Sequence, residues 1–169
     1  HKIYVEIIID FEGCLQGGIR EIGIIKTQNL EIVDALDFPS LESSEINGIL
    51  MEAFEEPPAF LIAHNAQTEK NLIREYMPYP TGKLASGKFR WGPWLDTLTA
   101  YRTLYPSLKD FSLGSLVSAF IEEKELQALA EKMCEKGRNK PHCALFDALC
   151  TLLLTKRLSG LVDLKGFIK

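Results

Sequence analysis

The order of strand-like and helix-like segments predicts an α/β class domain, a mixed sheet with helices on its faces. Two observations carry this. Three β-rich runs lie close together at the start of the chain, as expected of an antiparallel opening. After them, short apolar strands alternate with segments of helical period as far as the C-terminus. The 169 residues suit one domain with a sizeable core, taken as 1–169. There is no internal repeat, low-complexity tract or interdomain linker.

The first strand is expected over residues 3–9, which are β-branched and apolar. Residues 20–27 alternate, with Ile22, Ile24 and Ile25, and 30–36 form a third strand after a hairpin turn at Gln28-Asn29. Ser44 is the expected cap of a helix over 45–55, stopped by Pro57-Pro58. Residues 60–63 are a short buried strand and 66–76 a helix halted by Pro78. Residues 79–94 are rich in Gly, Pro and basic groups and suit a loop. Leu95-Asp96 is a short strand leading to a helix through Leu104, and helices follow over 112–120 and 123–136. Pro141 opens the last helix, which runs to Leu158.

Composition narrows the function classes. Apolar content is 46% and charged content 25%, as in soluble globular proteins. No apolar run approaches the ~20 residues a membrane helix needs, so no membrane partner is expected. The opening His1-Lys2-Ile3 has no signal-peptide pattern and no initiator Met, which fits a tag remnant or a trimmed fragment. Four cysteines without a C-x-x-C pair suit reduced thiols in a cytoplasmic protein and argue against zinc. A net charge of −4 argues against strong metal-free grip on phosphate backbone. Bound cations would remove that objection by reversing the local field. Gly17-Gly18 has no phosphate-loop context, and no G-x-S-x-G is present.

Three elements carry chemistry. Asp10 and Glu12 end the first apolar run, and alternation puts both on one face, where they could share a divalent cation. Without one they would repel, and one would tend to hold its proton. Taken alone, this is also a strand end before a polar turn at Gly13. His64-Asn65-Ala66-Gln67-Thr68-Glu69 runs from a strand into a helix and brings a third carboxylate near that strand's exit. Alone, it also describes an N-cap Asn with a first-turn Glu favoured by the helix dipole. His142 and Asp147 stand five positions apart at the entrance of an apolar helix. An ionised Asp147 on such a helix is costly unless paired or on a metal, whereas a histidine at a helix entrance is also compatible with a surface role.

Jointly these elements closely resemble the DEDDh exonucleases, the histidine branch of the DnaQ-like 3′–5′ exonuclease superfamily. The first motif, D-x-E, matches Asp10 and Glu12. The second, of H-N-A-x-x-D type, matches His64-Asn65-Ala66 with Glu69 in place of the usual Asp. The third, H-x-x-x-x-D, matches His142 and Asp147. Leu95-Asp96-Thr97-Leu98 and Phe111-Ser112-Leu113-Gly114-Ser115-Leu116 look like the intervening D-T-L and S-L-x-x-L patterns, so the similarity covers nearly the whole chain. A sister branch has Tyr four positions before the last Asp. Cys143 stands there in this sequence.

The resemblance implies a ribonuclease H-like fold, a mixed five-stranded sheet with its first three strands antiparallel. It also implies a two-metal-ion phosphodiester hydrolase using Mg²⁺ or Mn²⁺. Asp10 would bridge the ions, Glu12 and Asp147 would complete the nucleophile side, and Glu69 would hold the second ion through water. His142 would be the general base, a role open to histidine because its neutral form is available near neutral pH. Single-stranded DNA or RNA would lose nucleoside 5′-monophosphates from its 3′ end. Candidates for substrate contact are Phe11, His64, Asn65, Lys88, Arg90, Trp91, Arg138 and Lys140. Phe11 otherwise suits the core, and the basic groups before His142 otherwise suit a solvated helix end. Two other functions fit the same fold. One is a catalytically weakened module that binds nucleic-acid ends. The other is a proofreading or partner subunit of a polymerase, and a homodimer is equally compatible.

Overall fold

In the computed structural model, which describes residues 6–76 and 92–169, three long strands open the chain: β1 (Glu6–Cys14), β2 (Gly18–Gln28) and β3 (Glu31–Phe38). Two short ones follow, β4 (Phe60–Ala63) and β5 (Trp94–Asp96). They form one sheet in the order β3-β2-β1-β4-β5. The first three pair antiparallel, and β4 and β5 add in parallel beside β1. The helices are α1 (Ser43–Ala53), α2 (Ala66–Tyr76), α3 (Thr97–Leu104), α4 (Leu113–Phe120), α5 (Glu123–Met133) and α6 (Ala144–Ser159). This is the mixed five-stranded sheet flanked by helices that the sequence predicts. None of the described helices is long and apolar enough to cross a membrane.

The element boundaries differ in informative ways. Strand β1 does not stop at Ile9. Pairing with β2 continues to Cys14, so Asp10 and Glu12 lie inside the ladder, opposite Gly23 and Glu21. The hairpin turn is at Asn29-Leu30, with φ of 52° and 64°, one residue later than expected. Positive φ at both central residues is the geometry that matches strand twist. Leu30 is held there by its N–H donating to buried Glu6 Oε1 at 2.9 Å. Glu42, not Ser44, precedes α1, and its N–H donates to Glu45 Oε1 at 3.0 Å. Helix α5 ends at Met133, short of residue 136, and α6 begins at Ala144 rather than at Pro141. His142 adopts φ 68°, which a right-handed helix cannot include. The last residues add to the sheet edge, where Lys169 exchanges hydrogen bonds with Trp94 and Ile168 bridges Leu95.

Strand alternation separates two cores. Ile7, Ile9 and Phe11 point into a cluster with Ile46 and Leu50 of α1 and Leu72 and Ile73 of α2. Ile8 points the other way, to Leu145, Ala148, Leu149 and Leu152 of α6. Asp10 and Glu12 share the parity of Ile8 and therefore face α6. That helix lies close because Gly23 has no side chain. A Cβ there would stand 2.5–2.6 Å from the backbone of Ala144 and Leu145. Gly48, within α1, has no atom within 4 Å of such a position.

Two glycine substitutions should therefore part in sign. Gly23→Ala should lower stability by about 1–3 kcal/mol through overpacking against backbone. Gly48→Ala should raise it by about 0.5–1 kcal/mol through helix propensity. Thermal melts followed by circular dichroism measure both, at roughly 2–4 °C per kcal/mol for a chain of this size.

Candidate active site

The sheet brings the acidic residues to one end. Asp10 and Glu12 stand on β1 with side chains toward α6, and Asp147, one turn into α6, comes down over them. The donor atoms of Glu12, His142 and Asp147 lie within 4.8 Å of one another. Glu69, only 4% exposed, enters from the first turn of α2. Its electrostatic influence on Asp10 puts it in the same cluster. Four carboxylates from three distant stretches therefore converge.

Each element that carries an acid is fixed locally. Asp96 holds two helix starts at once. Its carboxylate accepts from the N–H groups of Asn65 (2.9 Å) and Ala66 (3.1 Å) at α2 and from that of Leu98 (2.9 Å) in α3. These are donors that helix termini leave unpaired. Asn65 takes φ 64° to make the turn. His64 is fastened at both ring nitrogens, Nδ1 to Thr97 Oγ1 at 2.7 Å and Nε2 to the Phe111 carbonyl at 2.8 Å. Burial lowers its pKa. The His142 N–H donates to Asp147 Oδ1 at 3.3 Å, which ties the residue before α6 to the acid within it.

Electrostatics mark the cluster as unfinished. Burial, then the charges of Asp147, Glu69 and Glu12, raise the Asp10 pKa well above the ordinary carboxylate value. Burial pushes Glu69 up to about 8, although its own N–H and that of Phe11 pull the other way. Burial, then Glu12, pushes Asp147 up to about 8. Buried polar atoms are normally paired, yet Asp10 Oδ2 and Glu69 Oε2 have no hydrogen-bond partner. Buried unpaired carboxylate oxygens, in a cluster where Glu12 and Asp147 also meet an imidazole, fit divalent cations such as Mg²⁺ or Mn²⁺. Asp10, Glu12, Glu69 and Asp147 could hold them. His142, exposed at the rim, could either ligate or take a proton.

An open cleft of about 580 Å³ adjoins the acids and is lined by Glu12, Arg20, Glu21, Ser40, Glu42 and His142.

No protein-family model and no curated protein matches the sequence. Solved structures do match. An exonuclease X in complex with 5′ overhanging duplex DNA superimposes with a TM-score of 0.61 at 19% identity, covering 96% of this chain and 97% of that one. E. coli exonuclease I in complex with a dT13 oligonucleotide gives 0.66 at 13% identity, covering 92% and 41%. The zinc-ion-bound form of an E. coli exonuclease I–ssDNA complex gives 0.62 at 12% identity, covering 94% and 41%. The fold is that of these exonucleases, ribonuclease H-like. The chain spans about two fifths the length of exonuclease I and nearly all of exonuclease X.

The other sequence-predicted residues fall in varied places. Phe11 is buried in the core on the face away from Asp10, Glu12 and Asp147. Asn65 is exposed, its Nδ2 donating to Thr68 Oγ1 at 3.2 Å. Lys140 is exposed on the segment before α6. Arg138 is bonded to Glu21 and Asp37. Lys88, Arg90 and Trp91 lie outside the described residues, as do residues 3–5 and most of the expected 79–94 loop. Sequence reasoning missed Glu21, Asp37 and Arg20. Only the β1–β2 register, which sets Glu21 opposite Glu12, reveals the first of these.

The raised carboxyl pKa values set a pH dependence. A carboxyl that is protonated in the fold but ionised when unfolded costs stability as pH rises from its ordinary value toward its folded one. Glu69 and Asp147 stop contributing to the slope only above about 8. His64, with its lowered pKa, acts oppositely below the ordinary 6.5. In EDTA the melting temperature should thus fall from pH 6.5 to pH 8, and saturating Mg²⁺ or Mn²⁺ should remove the fall. A flat metal-free profile would contradict the buried repulsion.

Proposed function

We propose that the protein is a metal-dependent 3′–5′ exonuclease that removes nucleoside 5′-monophosphates from the 3′ end of single-stranded DNA or RNA. The observation that carries this is the convergence of Asp10, Glu12, Glu69 and Asp147 at one sheet end, with two carboxylate oxygens buried and unpartnered. The shared fold with exonucleases I and X supports it.

Mg²⁺ or Mn²⁺ held by these carboxylates would stabilise charge developing on the phosphodiester and ease deprotonation of water. Asp10 is central, since the charges of the other three acids all act on it, and it would hold metal together with them. Glu12 and Asp147 serve one side, next to His142. Glu69 serves the other, from the first turn of α2. The exposed His142 ring accepts the proton of the attacking water. The water oxygen bonds to phosphorus as the P–O3′ bond breaks, the leaving 3′-oxygen takes a proton from solvent water, and the shortened strand leaves with a free 3′-hydroxyl while the mononucleotide keeps the 5′-phosphate. The His142 backbone, in the left-handed region, is the kind of local strain that concentrates at functional positions.

The test uses 3′-end-labelled single-stranded DNA, RNA and dinucleotides with Mg²⁺ or Mn²⁺. Wild-type protein should release mononucleotides. Asp10→Ala and Asp147→Ala should abolish turnover, and His142→Ala should cut kcat by roughly 10²–10⁴-fold. Calorimetric Mn²⁺ titration separates two roles for His142: affinity is preserved in His142→Ala if it is the base and weakened if it is a ligand. Glu69→Asp should retain activity if an intervening water absorbs the shorter reach, whereas Glu69→Gln should lose it. Absence of hydrolysis of every substrate in both metals would refute the assignment.

A further inference from the structure

We propose that Arg138 is a positioning residue for this site: it neutralises Glu21 beside the metal-binding acids and pins the segment that presents His142. The inference rests on the exonuclease assignment above.

Glu12 and Glu21 are directly opposite on β1 and β2, so their side chains share one face. Like charges so placed are destabilising. Glu21 also adds to the repulsion on Asp147. Left free, it would be a fifth carboxylate at the edge of the site, drawing cations off and repelling substrate phosphate.

The structure removes it from that role. Arg138 Nη2 donates to Glu21 Oε1 at 2.6 Å, and the Ala144 N–H at the start of α6 donates to the same oxygen at 3.3 Å. The same guanidinium forks onto Asp37 of β3, Nε to Oδ2 at 2.6 Å and Nη2 to Oδ1 at 2.9 Å. One side chain thereby joins β2, β3 and the segment between α5 and α6. It is 20% exposed, with Glu21 at 21% and Asp37 at 11%, so water screens the contacts only in part. The other hydrogen bonds of this segment among the described residues are local: Arg138 N–H to the Glu135 carbonyl, Cys143 N–H to the Lys140 carbonyl and His142 N–H to Asp147. Arg138 is what ties the segment to the sheet. With two of its three nitrogens on carboxylates, it is not poised to follow phosphates.

Steady-state kinetics with Mn²⁺ on a labelled oligonucleotide, together with backbone hydrogen exchange, test this. Arg138→Ala should lower kcat roughly 10- to 100-fold with KM within about threefold, the signature of a misplaced group rather than a lost substrate contact. Arg138→Lys should recover part of the loss, since it keeps the charge but not the fork. Asp37→Asn, a milder change certain to be informative if Arg138→Ala fails to fold, should shift kcat in the same direction. Lys156→Ala, which removes an exposed pair with Glu31 at 3.1 Å, should leave both constants unchanged. Amides of 136–143 should exchange faster in Arg138→Ala while those of β1 do not. A raised KM with kcat intact would overturn the proposal in favour of phosphate contact. Faster exchange with unaltered kinetics would reduce the clamp to a stabilising role and overturn it too. An inactive wild type would instead defeat the exonuclease assignment, and this inference with it.

Discussion

How closely α6 lies on the β1–β2 pair governs everything at the acidic end of the sheet. Asp147 reaches Asp10 and Glu12 only because Gly23 lets helix backbone rest directly on strand backbone. The carboxylates oppose that approach. What sustains it is the apolar face of the same helix on either side of Asp147, where Leu145, Ala148, Leu149 and Leu152 bury against Ile8, Ile25 and Ile62. Each buried leucine contributes about 1.5–3 kcal/mol. Apolar packing by the residues that flank Asp147 thus holds mutually repelling groups together.

The acids of this chain fall into two kinds. Glu6, Glu21, Asp37 and Asp96 each have donors: a turn N–H, a guanidinium or helix-terminal N–H groups. Asp10 and Glu69 each keep a buried oxygen with none. A fold that pairs its structural acids so thoroughly has the means to pair all of them, so the unpaired oxygens are informative. Their arrangement suits a ligand that brings positive charge from outside the chain.

Much of this was legible in the sequence because it depends on periodicity. Alternation placed Asp10 and Glu12 on one face, and the apolar helix around Asp147 made its charge conspicuous. The antiparallel opening followed from the closeness of the first three β-rich runs, whereas the five-stranded sheet was implied by the family resemblance. What stayed hidden depends on register or on backbone conformation. The opposition of Glu12 and Glu21 needs the pairing of β1 with β2. Arg138 reads from the sequence as either a phosphate contact or a solvated cation, because its actual partners lie 101 and 117 residues away. His64, part of a recognisable motif, turned out to have both ring nitrogens bound within the fold. The late start of α6 arises from a left-handed His142, a conformation uncommon outside glycine even though histidine adopts it more readily than most residues.

Asp96 shows how the second motif is tied into the rest of the domain. Its carboxylate receives the leading N–H groups of α2 as well as one from α3. Neither helix can drift without depriving the other of a shared acceptor, so the two starts move as a linked pair. A disturbance entering at α3, far along the chain from the second motif, would therefore be felt at Glu69. Sequence distance is a poor guide to mechanical independence at this end of the sheet.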